Sequence, residues 1–163
     1  MAQRQLYGGA ITTTIPPSFI DASDLRQVPD TQEVFLAPDS DLSLITEVLE
    51  LVKDDGAGDD LERAVRPGLP TILGPAVLSG LQTISKFNRP ASEADTVLIL
   101  LALWRVPQRD ADVTLCVNWP VKDGETGEER SEEEARRVFE EAVRAFDVKD
   151  FGLFAGGEAA AGA

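Results

Sequence analysis

A chain of 163 residues, 43% hydrophobic and 27% charged, is long enough to bury the core of one domain and too apolar to stay disordered. Its net charge of −14 opposes nucleic acid and anionic membrane, whose phosphates would repel it, and favours a basic protein surface as partner. With no histidine, Ser-His and Cys-His catalysis are excluded, so an enzyme would have to work with carboxylates, Lys or Tyr and a metal with oxygen ligands alone.

In chain order, LYGGAITTTIPPSF predicts a strand, a turn at Gly8-Gly9, a second strand rich in Ile and Thr, and an exit at Pro16-Pro17. The two glycines lack the spacing of a dinucleotide loop and no nucleotide-loop lysine follows them, so they read as a turn or bulge. DASDLRQVP predicts one or two helical turns, capped by Asp21 and stopped by Pro29, and TQEVFL returns to strand character. In SDLSLITEVLELV the residues Leu44, Ile45, Val48, Leu49 and Val52 share a face at helical spacing, which predicts an amphipathic helix with cap chemistry in the preceding serines. Residues 53–75 predict an exposed loop with at most a short helix near Asp60 to Val65. Its acids Asp54, Asp55, Asp59 and Asp60 are out of register for a calcium loop and read as a solvated charge run.

AVLSGLQTISKF predicts a strand, and TVLILLALWRV, apolar on both alternating faces, a central strand covered on both sides. PQRDA is short enough to require an antiparallel hairpin to DVTLCVNWPV, where Cys116, the only cysteine, is expected to be buried and inert. After the turn KDGETGEE, Ser131 and Glu134 form a capping box. Ala135, Val138, Phe139, Ala142, Val143 and Phe146 then stripe a helix of about four turns. DFGLF adds an edge strand or packs on the core, and residues 155–163 are expected to be a disordered tail to a single domain over 1–154. The elements imply helix over sheet over helix, in a soluble intracellular protein.

The acidity is local. Residues 21–60 carry twelve acids and two bases, residues 61–120 five acids and six bases, so the stretch FIDASDLRQVPDTQEVFL lies in the most negative part of the chain. Its acids could be a catalytic pair, turn punctuation or a docking surface. Capping accounts for Asp21 and a turn after Pro29 for Asp30, whereas Glu33 has neither reason and points outward if Val34 points in.

Residues 6–36, LYGGAITTTIPPSFIDASDLRQVPDTQEVFL, resemble the N-terminal signature of the Mog-one family, the Ran guanine nucleotide release factors of nuclear protein import. The resemblance continues in Leu44–Val52, in GLQTISKFN, in TVLILLALWRVPQRDADVTLCVNWP and in the C-terminal helix ending DFGLF, and departs at residues 53–75, which are short and proline-rich. It implies an α+β, PsbP-like fold, a three-layer α/β/α sandwich around a mainly antiparallel sheet of about six strands. It further implies a monomer of nucleus and cytoplasm that binds Ran through a basic surface of that GTPase and promotes nucleotide release. No cofactor, metal, catalytic residue, nucleic acid or membrane insertion is implied. The Ran-contacting acids of the family's PDTQE element fall here on Asp30 and Glu33, with Asp21, Asp24 and Arg26 in the same block. The rival readings are an adaptor or trafficking factor for another partner on the same fold, and a carboxylate-based hydrolase.

Overall fold

A computed structural model describes residues 1–51, 72–85, 94–124 and 126–157, excluding the side chains of 155–157. Strands β1 (Ala2–Leu6) and β2 (Ile11–Ile15) form the expected N-terminal hairpin across a 3-10 turn at Tyr7–Gly9. Tyr7, Gly8 and Gly9 all take positive φ (51°, 65° and 96°), a left-handed run that two glycines make accessible. Strands β3 (Ile20–Asp21), β4 (Gln32–Leu36), β5 (Ser43–Glu50), β6 (Leu73–Ile84), β7 (Asp95–Val106) and β8 (Ala111–Lys122) form a six-stranded sheet in the order β3-β4-β5-β8-β7-β6. All of its neighbours are antiparallel. Helix α1 (Glu132–Ala145) follows, and β9 (Asp147–Val148) returns to pair with β2, making a small sheet β1-β2-β9. The α+β class and the six-stranded antiparallel sheet are as expected.

One face of the large sheet carries the core. Leu98, Leu100, Ala102 and Trp104 of β7 are buried there beside their partners Trp119, Val117, Leu115 and Val113 of β8. Ala135, Val138, Phe139 and Ala142 of α1 close onto the same cluster, with Leu6, Ile11 and Ile15 from the hairpin. The Phe146 ring stacks on Trp104 at 3.8 Å between centroids and 9° between planes. The buried Thr13 hydroxyl donates to the Ala142 carbonyl at 2.7 Å, tying the hairpin to the helix and satisfying a group that would otherwise be buried unpaired.

The helix expected over 44–52 does not form, since Ser43–Glu50 is strand β5, paired with β4 on one side and β8 on the other. Apolar pairs at 44/45 and 48/49 satisfy a helical face and equally place one member of each pair on each face of a strand. The β-branched Ile45, Thr46 and Val48 favour the pleated surface, and two flanking ladders decide it. Residues 43–50 therefore supply no helix to a second layer; among the described residues the core face is covered by α1 with the three-stranded sheet. Ser43, read as cap chemistry, instead accepts a bond from the Asn118 amide of β8 at 3.1 Å.

On β7 the core-facing residues are fully buried, whereas on the opposite face Val97 is buried and Ile99, Leu101 and Leu103 are half-buried. Strand β6 begins at Leu73, inside the expected loop, whereas residues 52–71, where at most a short helix is expected near Asp60 to Val65 and where the acids at 54–60 fall, lie outside the described residues. Cys116 is half-buried on β8 and burial pushes its thiol pKa up, in keeping with an inert thiol. Beyond β9, a 3-10 stretch from Phe151 to Gly157 buries Phe154, and residues 158–163 of the expected tail lie outside the described residues.

Helix α1 starts as its sequence demands. The Ser131 hydroxyl accepts from the Glu134 backbone N–H at 3.2 Å, and three glutamates occupy the first turn against the helix dipole. Ser131→Ala is expected to cost about 1 kcal/mol. It should be read as a lowered urea midpoint at unchanged slope; a midpoint equal to wild type would mean that this cap contributes nothing.

Candidate functional site: an acidic platform at the β3–β4 edge

The platform is built from two successive turns. Asp21, the last residue of β3, caps the 3-10 turn Ala22–Asp24 as expected, its Oδ1 accepting from the Ser23 backbone N–H at 2.8 Å and the Ser23 hydroxyl at 2.6 Å. Ala22 is buried, and its carbonyl accepts from the backbone of Leu25 and Arg26 at 3.0 and 2.9 Å. Asp24, Leu25 and Arg26 are thereby held outward, with Leu25 65% exposed. The second turn closes where the Pro29 carbonyl accepts from Gln32 N–H at 2.9 Å, leaving Asp30 exposed beside its tip. The side chains of Asp24, Arg26 and Asp30 have no partner among the described residues.

Glu33 is placed differently. It lies opposite buried Val34 on β4, as the strand period requires, but the face it points to is occupied by the hairpin turn. Its Oε1 accepts from the Tyr7 backbone N–H at 2.6 Å, which leaves the carboxylate half-buried rather than projecting freely. The Tyr7 hydroxyl donates to the Thr31 carbonyl at 3.2 Å and lies 3.1 Å from the Thr46 hydroxyl, which can donate to it in turn. Tyr7 thus couples the N-terminal hairpin, the Asp30 turn and β5. A contact between residues 26 apart leaves no trace in local pattern; the only signal was the presence of Tyr7 and Glu33 in one family-like block.

Burial pushes the Tyr7 phenol pKa up to about 12, with the charges of Glu33 and Glu47 acting in the same direction. Because Tyr7 is the only tyrosine, absorbance near 295 nm reports it alone. The native protein is expected to titrate near pH 12, and the urea-unfolded chain near pH 10. The unfolded state loses its proton first, so stability from this group is complete below pH 10 and falls as pH rises from about 10 to 12. A native midpoint at the ordinary value would contradict the packed hydroxyl.

Tyr7, Asp21, Val28, Asp30, Glu33 and Leu153 are among the residues lining a shallow depression of about 400 Å³. Carboxylate-pair hydrolysis needs two acids converging on one reacting atom. Here each is engaged separately: Asp21 with Ser23, Glu33 with Tyr7, and Asp30 with solvent. No group of acids or cysteine suited to a metal ion occurs among the described residues, and no described helix is long and apolar enough to cross a membrane. What the arrangement offers is a braced, negatively charged surface with one arginine, able to receive cations from a partner protein.

The family model described as "Ran-interacting Mog1 protein" matches residues 4–66, which contain the whole platform. The chain is 34% identical to the nuclear import protein MOG1 of Saccharomyces cerevisiae, over 93% of this chain and 84% of that one. It is 37% identical to the Ran guanine nucleotide release factor of Homo sapiens, over 72% of this chain and 75% of that one. The crystal structure of the S. cerevisiae Ran-binding protein Mog1p superposes with a TM-score of 0.64 at 30% identity, covering 94% of this chain and 97% of that one.

Proposed function

Because the chain belongs to the Ran-interacting Mog1 family, we propose that it binds the GTPase Ran through the acidic platform and promotes release of Ran's guanine nucleotide, GTP in particular, in the service of nuclear protein import. The observation that carries this reading is the placement of Asp30, Asp24 and Arg26 on turns braced by Asp21 and Tyr7, inside the family-matched segment. Asp30 and Glu33 receive Lys or Arg side chains of Ran, with Asp21, Asp24 and Arg26 around them. The protein makes and breaks no covalent bond. It acts by binding nucleotide-poor Ran more tightly than nucleotide-bound Ran, so nucleotide must weaken the complex by the same factor.

The net charge of −14 speeds encounter with a basic surface, and association slows as salt shortens the Debye length. The decisive measurement loads purified Ran with a fluorescent GTP or GDP analogue and follows its release. Release that accelerates and saturates with added protein is the expected result, and release at the intrinsic rate across the titration would overturn the reading. A protein with this role works in the nucleus and in the cytoplasm, as a monomer.

A further inference from the structure

At the far side of the large sheet, β6 is the last strand among the described residues. It is bulged between Leu73 and Ala76 and regularly paired with β7 from Ala76 to Ile84. No residue of β6 is charged, and Val77, Leu78 and Leu81 are about 60% exposed. Sheet edges left open in this way present a row of backbone N–H and C=O groups that another strand can take up. Natural proteins guard such edges with lysine, inward-pointing charge, proline or a bulge; on β6 Pro75 and the bulge protect only the first residues, and no charge or irregularity follows from Ala76 to Ile84.

The core-side face of β6 runs beneath the flank of α1. Val77 and Ser79 join Leu100 of β7 and Phe139 and Val143 of α1 in a groove of about 420 Å³. Its rim is Arg136, Glu140 and Arg144, spaced four residues apart along one side of the helix. In a chain of net charge −14 this rim is net positive. Arg144 has no ion pair among the described residues, and Arg136 makes only an exposed contact of 3.9 Å with Glu132, a class of pair worth little.

We propose that this groove is a second protein-binding site, which takes an extended acidic peptide segment of a partner as a further strand along β6. The open ladder supplies main-chain bonds, and the apolar floor receives the side chains that face α1. The two arginines select acidic residues. They stand about 12 Å apart along the helix axis, and strand residues four apart span about 13 Å. The preferred segment therefore carries acids at positions i and i+4 around an apolar residue at i+2. A second copy of this chain is the poorer occupant, because it brings another −14 to the contact. Five strand intervals separate β6 from β3 in the sheet order, about 24 Å, so this groove and the acidic platform can be occupied together.

The test uses the full chain and a fluorescein-labelled peptide of sequence TETVTET, with TKTVTKT as its cationic counterpart. Fluorescence anisotropy is expected to show saturable binding of the glutamate peptide, weakened roughly tenfold or more for the lysine peptide and for the R136E/R144E variant. Circular dichroism checks that the variant remains folded. Amide hydrogen exchange should slow at residues 76–84 when peptide binds, which a merely electrostatic association would not produce. Absence of binding up to about 1 mM, equal binding of both peptides, or protection confined to other elements would overturn the proposal. Concentration-dependent dimers with β6 protected, seen by analytical ultracentrifugation and exchange, would assign the edge to a second copy and overturn it as well. Ran nucleotide release by R136E/R144E is expected to equal wild type, so failure at this groove is distinguishable from failure at the platform.

Discussion

The D30A/E33A double variant is expected to lose ~2–5 kcal/mol of Ran affinity, roughly 30-fold to several thousand-fold in Kd, while remaining folded. The two acids contribute differently, and single variants separate them. Asp30 is exposed and has no intramolecular partner among the described residues, so Asp30→Ala should leave stability near wild type and act on binding alone. Glu33 also holds the Tyr7 N–H, and truncating it to Ala leaves that half-buried donor without its acceptor, at about 1–3 kcal/mol of stability. Glu33→Gln keeps an oxygen for Tyr7 and removes only the charge. If charge at Glu33 serves the complex, Gln should weaken Ran binding while recovering most of the stability lost with Ala. Calorimetric titration of Ran against each folded variant decides the matter, and undiminished affinity in the double variant would refute the assigned contacts.

Trp104→Ala is expected to cost about 3–5 kcal/mol of stability, the range for emptying a large aromatic site in a core. Trp104 is 5% exposed, packs among the buried residues shared by β7, β8 and α1, and carries the Phe146 ring stacked at 3.8 Å. Its removal leaves a void beneath the end of the helix and strips Phe146 of its partner, so the loss exceeds that of Trp104→Phe, which keeps an aromatic face. Chemical denaturation should show the midpoint falling in the order wild type, Phe, Ala. A Trp104→Ala protein as stable as wild type would mean that the helix is anchored elsewhere, with Thr13 and Ala142 as the remaining tie.

Where residues carried their structural reason locally, the sequence was readable. Ser131 and the stripe from Ala135 to Phe146 announce α1, and Asp21 caps its turn. The short PQRDA connection between two apolar runs left no arrangement but the β7–β8 hairpin. Strand β5 is ambiguous in the sequence because its apolar pairs fit two periods, and only the ladders from β4 and β8 select one. The acidic platform was legible as charge and turn chemistry at Asp21, Asp24, Arg26 and Asp30. The attitude of Glu33 was not, because it is set by Tyr7, distant in the chain and brought alongside by the hairpin.

The sequence by itself therefore determined the protein's class, its concentration of negative charge, its lack of histidine chemistry, and the caps and turns that start and stop its elements. All of these follow from residue types and from contacts within a few positions. Tertiary structure decided the conformation of residues 43–50, the engagement of Glu33 by Tyr7, and the exposure of an uncharged β6 edge beside two arginines of α1. Each of those rests on backbone pairing or packing between distant segments, and such contacts exist only once the chain has folded.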